Sequence, residues 1–181
     1  RLEKIGKIKN HSKVILDYAH THDALKTCLL NLREQFPEKK ILLLFGCGGN
    51  RDQDKRPKMG KIADIYSDEI FLTDDNPRYE SPAQIRKEIK KGIKRKKIYE
   101  ISDRSKAIKK AIERLNTGEI LLIAGKGHEE IQDIGKKKIH FSDKKTIIKE
   151  IKIKNSNLSN NLKLNIIKEV SGIKKFKLDI P

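Results

Sequence analysis

The sequence predicts an α/β fold, an open and mostly parallel sheet with helices on both faces. Three features predict it. Short apolar runs alternate with longer mixed segments of helical period along most of the chain. Two of those runs, 41–45 (ILLLF) and 120–124 (ILLIA), are apolar throughout, as central strands buried on both faces must be. The segments directly after the apolar runs carry glycines and both charge signs, which suits ligand binding beyond the carboxyl ends of a parallel sheet.

Taken in order, Val14-Ile15-Leu16 reads as a strand and 23–36 as an amphipathic helix. The strand 41–45 stops at Gly46, and 58–67 is expected to be helical. Ile70-Phe71-Leu72 is the next strand, followed by a helix over 82–92 with Ser81 as N-cap. A short strand at 98–101 precedes a helix over 103–116, capped by Asp103 and ended near Gly118. The strand 120–124 follows, then a last strand at 138–141 and a last helix at 143–153. Beyond 154 the segment NSNLSNNLKLN is polar and Asn-rich and reads as a linker. The division expected is therefore a domain over 1–154 and a linker or tail over 155–181. The last stretch, IIKEVSGIKKFKLDIP, starts an apolar pattern that it does not complete.

At 181 residues the chain suffices for one domain with a sound core. It opens on Arg1 without methionine and reads as part of a longer protein. No apolar run is long enough to cross a bilayer, and the first residues lack the apolar core of a signal peptide. Cys28 and Cys47 have no metal or redox spacing, so a reduced, cytoplasmic setting and a monomer are expected. The net charge of +17 raises a nucleic-acid partner. The lysines, however, are scattered, and their runs lack interleaved aromatics, which disfavours a stacking platform. A basic nucleic-acid-binding module stays as the alternative from another class, with steep salt dependence as its signature.

Four strand-end segments carry chemistry: DYAHTHD, GCGGNRDQDKRP, TDDNPR and GKGHEE. In the second, glycines allow close backbone approach, and Arg51, Lys55 and Arg56 add positive charge. It is neither a Walker A loop nor a G-x-G-x-x-G fingerprint. In the fourth, Gly125 and Gly127 bracket Lys126, with His128 and Glu129 beyond. His20 and His22 stand two residues apart with Asp23 next, but no further His/Cys cluster supports a metal site, so none is expected. Together the loops offer two arginines, carboxylates and glycine turns at one sheet edge, which suits a zwitterionic ligand beside a nucleotide.

The stretches VILDYAHTHDAL, LLFGCGGNRDQDKRPKMG, TDDNPRYESP, LLIAGKGHEE and FSDKKTI, in this order and spacing, resemble the C-terminal domain of the Mur ligase family over about residues 1–150. The resemblance implies a Rossmann-like fold and an ATP-dependent ligase that works with Mg²⁺. Its nearest branch adds meso-diaminopimelate to UDP-N-acetylmuramoyl-L-alanyl-D-glutamate in peptidoglycan synthesis. There the substrate carboxylate becomes an acyl phosphate, which the amine of the incoming amino acid attacks. The phosphate loop and the UDP-substrate site belong to other domains, so this stretch alone is expected to be inactive. A family member adding L-lysine is the alternative within the family.

Carried over by motif, the resemblance assigns the diaminopimelate pocket to Arg51, Asp75, Asn76, Pro77, Arg78, Gly125 and Glu129, and the ATP ribose to Arg1 and Asp17. Arg78 would hold the distal carboxylate that lysine lacks, with Arg51 as a second contact. Asp75, Asn76 and Glu129 suit the distal ammonium, and Pro77 fixes the turn. Tyr18 and His20 are expected to shape the turn beside Asp17. Two residues depart from the family pattern: His22 stands where proline is usual and Asn50 where aspartate is usual. The stretch after 155 is loosely similar to the opening of the next ligase of the family, which raises a fusion of two enzymes.

Overall fold

A computed structural model describes residues 2–178, with side chains described for residues 2–165. Its elements are β1 (Glu3–Lys4), β2 (Lys13–Asp17), α1 (His22–Gln35), β3 (Ile41–Phe45), α2 (Lys55–Tyr66), β4 (Glu69–Leu72), α3 (Pro82–Lys90), β5 (Lys97–Glu100), α4 (Arg104–Arg114), β6 (Ile120–Ala124), β7 (Ile131–Asp133), β8 (Lys138–His140) and α5 (Asp143–Leu178). The main sheet runs β1-β2-β6-β3-β4-β5. All of its pairings are parallel except that of β1 with β2.

Side-chain alternation along the central strands builds two cores. Ile41, Leu43 and Phe45 of β3 and Ile120 and Leu122 of β6 face α1, α2 and α3, packing on Leu25, Leu29, Leu32, Met59 and Ile89. Leu42, Leu44, Leu121 and Ile123 face the other way, onto Ala107, Ile108 and Ala111 of α4 and Ile147 and Ile151 of α5. Chain direction reverses after β5: α4 returns the chain across the second face to β6, between β2 and β3. The carboxyl ends of β2, β6, β3 and β4 therefore share one edge, where ligands of such sheets bind.

The expected caps are present. The Ser81 hydroxyl accepts from the Gln84 N–H at 3.4 Å and the Asp103 carboxylate from the Lys106 N–H at 3.0 Å. Thr21 caps α1 by accepting from the Ala24 N–H, so His22 at the first helical position leaves the helix start intact. Helix α2 begins three residues earlier than its apolar period suggests. Pro57 falls in its first turn, where N–H groups have no helical acceptor.

Three features differ from the sequence reading. Strand β1 is a two-residue edge pair. The strand expected at 138–141 is β8, which pairs antiparallel with β7 in a separate hairpin instead of joining the main sheet. The helix expected to end at 153 continues to Leu178, and the segment read as a linker is helical. Tertiary contacts override its weak helix formers. Leu158 packs on the second core. The Asn155 side chain accepts from the Lys9 N–H and donates to the Lys7 carbonyl, both at 2.8 Å. The tail read as the start of a following domain reaches 179–181, which lie outside the described residues.

Candidate functional site

The loop after β4 is the centre of the site. It leaves the sheet at Thr73, whose N–H still donates to the Phe45 carbonyl. Asn76 O then accepts from the Gly49 N–H at 2.9 Å, and the Arg78 N–H donates to Asp133 O at 3.0 Å. Three loops are thereby joined: those after β3 and β4, and the hairpin beyond β6. Arg78 takes the left-handed conformation, φ +50°, which is rare for a residue other than glycine. A Cβ at Gly49 would overlap the Pro77 carbonyl oxygen, so only glycine allows the β3 loop this close.

Arg78 is partly spent. Its Nη1 donates to the Gly49 carbonyl at 2.8 Å, and its Nε lies 3.8 Å from an Asp133 carboxylate oxygen. Its Nη2 has no hydrogen-bond partner among the described residues, leaving N–H donors at that edge for a carboxylate. Arg51 is exposed on the adjoining loop. Both arginines border Gly48: a Cβ there would lie 3.0 Å from Arg78 Nη1 and 4.0 Å from Arg51 Cγ. A cleft of about 680 Å³ opens beside Pro77 and Arg78, lined also by Arg104, Gln132, Ile139 and Phe141.

The acidic half of the site is more deeply set. Asp75 and Asn76 are buried, and Asn76 Nδ2 donates to Glu129 Oε2 at 3.1 Å. The Asp75 carboxylate lies over Gly125, where a Cβ would come within 2.8 Å of Oδ2; the φ of Gly125 is +113°. Gly125 is thus required twice, for its backbone and for the room it leaves. Burial pushes the Asp75 carboxyl above its ordinary value, and the charges of Arg104 and Lys126 only partly oppose this. Burial also works to raise Glu129, but hydrogen bonds from Lys126 and Asn76 outweigh it and hold that carboxyl below its usual value.

On the side of β2, Asp17 is buried. Its Oδ1 accepts from the Ala19 N–H at 2.8 Å, and its carbonyl accepts from the Gly125 N–H at 3.2 Å. The rings of Tyr18, His20 and His128 cluster at the mouth, with centroids 4.6 and 5.8 Å from Tyr18. Tyr18 and His20 shape this turn as expected: His20 Nδ1 lies 3.0 Å from the Tyr18 carbonyl. Arg1, the other residue assigned to the ribose, lies outside the described residues.

Of the residues singled out from the sequence, Asp75, Asn76, Gly125 and Glu129 meet directly, and Arg51, Pro77 and Arg78 adjoin them. Two cations expected to give the β3 loop its charge serve otherwise. Arg56 is fully buried, paired with Glu80 at 2.9 Å and Glu88 at 2.6 Å, and donates to the Gly48 carbonyl at 3.2 Å. Lys55 donates to the His20 carbonyl at 2.9 Å. Asn50 is also at positive φ, which asparagine tolerates; its N–H donates to Glu80 and its Oδ1 accepts from the Tyr79 N–H.

Sequence reasoning missed three structural members of the site. Lys126 bonds Asn76, Glu129 and the Ile131 carbonyl. Gln132 donates to the Asp75 carbonyl at 2.7 Å. Arg104 pairs with Asp143 at 2.8 and 2.7 Å and donates to the carbonyl of Ala124, the last residue of β6. Only Lys126 had a signal, its place between two glycines after a central strand.

A family model described as "Mur ligase, glutamate ligase domain" matches residues 1–127. The chain belongs to the Mur ligase family. Among curated relatives, UDP-N-acetylmuramoyl-L-alanyl-D-glutamate--2,6-diaminopimelate ligase of Buchnera aphidicola is 50% identical over 156 residues, 86% of this chain and 30% of that protein. The ligase of the same name from Chlorobaculum tepidum is 46% identical over 148 residues, 81% of this chain and 29% of that protein. A solved structure of a ligase so named superposes with a TM-score of 0.78 at 38% identity, covering 84% of this chain and 31% of its own. The chain thus spans about 30% of the length of the curated relatives it matches. The Mur ligase match ends just past β6, within the loop that carries Glu129.

Proposed function

We propose that this Mur ligase domain is the acceptor-binding lobe of an ATP-dependent ligase that joins meso-diaminopimelate to UDP-N-acetylmuramoyl-L-alanyl-D-glutamate, in the cytoplasm and as a monomer. The carrying observation is the juxtaposition of Arg78, held at positive φ with Nη2 unspent, and the Asn76–Glu129 pair. A ligand with a carboxylate and an ammonium at one end matches that arrangement, and lysine supplies only the ammonium. Arg78 takes the distal carboxylate with Arg51 beside it. Asp75, Asn76 and Glu129 surround the distal ammonium, Gly125 makes room, and Pro77 fixes the bend. The names of the curated relatives support this choice of substrate.

ATP belongs on the side of Asp17, where a buried carboxylate beside exposed rings suits a ribose. When bound, it supplies the phosphoryl group that activates the acceptor carboxylate. This chain's part is to bind the amino acid, orient its amine and exclude water when the domains close. Mg²⁺ belongs mostly to the rest of the protein, as the family resemblance implies.

The test is substrate competition in the full-length protein. Wild type should prefer meso-diaminopimelate over L-lysine by several orders of magnitude, as polar pockets reject analogues lacking the recognised group by roughly 10⁴–10⁵. Arg78→Ala should remove most of that preference. An Arg78→Ala enzyme with wild-type preference overturns the reading.

A further inference from the structure

Lys126 is fully buried among charged groups, and none of the ligand contacts proposed above uses it. An ammonium has three N–H donors, and all three are occupied: Asn76 Oδ1 at 2.9 Å, Ile131 O at 2.6 Å and Glu129 Oε2 at 3.2 Å. It therefore has nothing left for a ligand. Its effect passes through its partners. Asn76 Oδ1 accepts from both Lys126 and the Asp133 N–H at 3.0 Å. Two donors on that atom fix which end of the amide is oxygen, and so direct Nδ2 at Glu129. The Glu129 carboxylate receives Lys126 and Asn76, both on Oε2. Its Oε1 keeps acceptor capacity for a ligand. Without Lys126, Asn76 Oδ1 keeps only the Asp133 N–H, and Glu129 loses its closest cation.

We infer that Lys126 is a positioning residue that holds Glu129, directly and through Asn76, as the receptor for the distal ammonium of the amino acid. This rests on the pocket reading above and concerns the opposite end of the ligand from Arg78. The buried cation orients the carboxylate that meets the ammonium while staying out of contact itself. It resembles the outer partners of metal ligands, whose loss typically costs 10–100-fold.

The experiment compares meso-diaminopimelate with L-2-aminopimelate, which keeps the distal carboxylate but lacks the distal amine. The readout is the ratio of their kcat/KM values in the full-length enzyme. Because it is a ratio, it is insensitive to the fraction of enzyme that is folded. Wild type is expected to favour diaminopimelate at least about 100-fold, consistent with the loss of a buried charged partner. In Lys126→Met the ratio should fall about tenfold or more, chiefly through KM for diaminopimelate. Lys126→Gln, uncharged but still a donor towards Asn76, guards against a misfolded first variant and should fall in between. Ratios unchanged in both variants, with the wild-type preference intact, overturn the role of Lys126 alone. A wild type that does not distinguish the two substrates overturns the ammonium receptor and this role with it, while the Arg78 test of the carboxylate end still stands separately.

Discussion

The two sides of the sheet edge are built differently. On the amino-acid side, the loops after β3, β4 and β6 are tied together by three buried cations. Arg56 joins Gly48 to Glu80 and Glu88, Lys126 joins Asn76 to Glu129, and Arg104 joins the end of β6 to Asp143. On the nucleotide side, the loop after β2 holds a buried carboxylate with a turn hydrogen bond, a backbone bond from the Gly125 N–H and a lysine tie, with Tyr18 and His20 exposed. The contrast follows from the tasks proposed for them. Choosing between amino acids that differ by one carboxylate requires groups fixed before the ligand arrives, since ordering them on binding would consume affinity. A loop that touches a nucleotide carried by another domain gains its geometry on closure.

The largest effect should come from the buried pair at the base of the tied side. Arg104 and Asp143 are both fully buried, and Arg104 Nη1 has no hydrogen-bond partner among the described residues. Asp143→Ala leaves a buried guanidinium unpaired, and loss of one member of such a pair costs about 3–5 kcal/mol. Urea unfolding of the 181-residue chain measures it. The double change Arg104→Met with Asp143→Leu should recover most of the loss, because an apolar pair of similar volume is often neutral. A single variant within about 0.5 kcal/mol of wild type would remove the claim that this side is held by buried charge.

Much of this tied side was legible in the sequence, though not its ties. Residues 41–45 and 120–124 announce central strands because continuous apolar runs are tolerable only where both faces are covered. The loops of the site stand out because each follows its strand within a few positions, whereas the choice of pocket residues within them is what the family resemblance implies. Arg104 and Asp143 stand 39 residues apart, and neither neighbourhood hints at the other. Arg56 reads as loop charge until Glu80 and Glu88 are brought to it from the next strand-helix unit. Helix α5 escaped for a related reason. Its Asn-rich middle has weak local propensity, and the stabilising contacts come from β1, the loop after it and the end of α4. One is the Lys154 ammonium, which donates to the Glu113 and Leu115 carbonyls at 3.0 and 2.8 Å, a favourable charge at a helix C-terminus.

A smaller effect is expected for Arg56→Met, about 2–3 kcal/mol, because Glu80 and Glu88 are partly exposed and can rehydrate once the cation is gone. This pair also gives a pH signature. Hydrogen bonds from Arg56 hold both carboxyls below the ordinary glutamate value of 4.5. A depressed folded value contributes stability that is fully present above the unfolded value. That stability is lost as pH falls through the folded one. Wild type should therefore lose stability from pH 4.5 downward, and Arg56→Met should lose less over the same window. Parallel curves for the two proteins would show that the clamp is not what titrates.

The smallest effect is expected on the open side. His20 is exposed; its ring rests on Tyr18 and its Nδ1 lies near a carbonyl only two residues away. Both contacts are within one turn and in water, so they join nothing that the chain does not already join. His20→Ala should change stability by no more than about 0.5 kcal/mol, a shift of about 1–2 °C in Tm for a chain of this size. Lys55 would still tie this loop to α2, since it bonds the His20 backbone carbonyl and not the ring. A loss as large as that of Arg56→Met would mean that the ring cluster carries load, and the two sides of the edge would then be built alike.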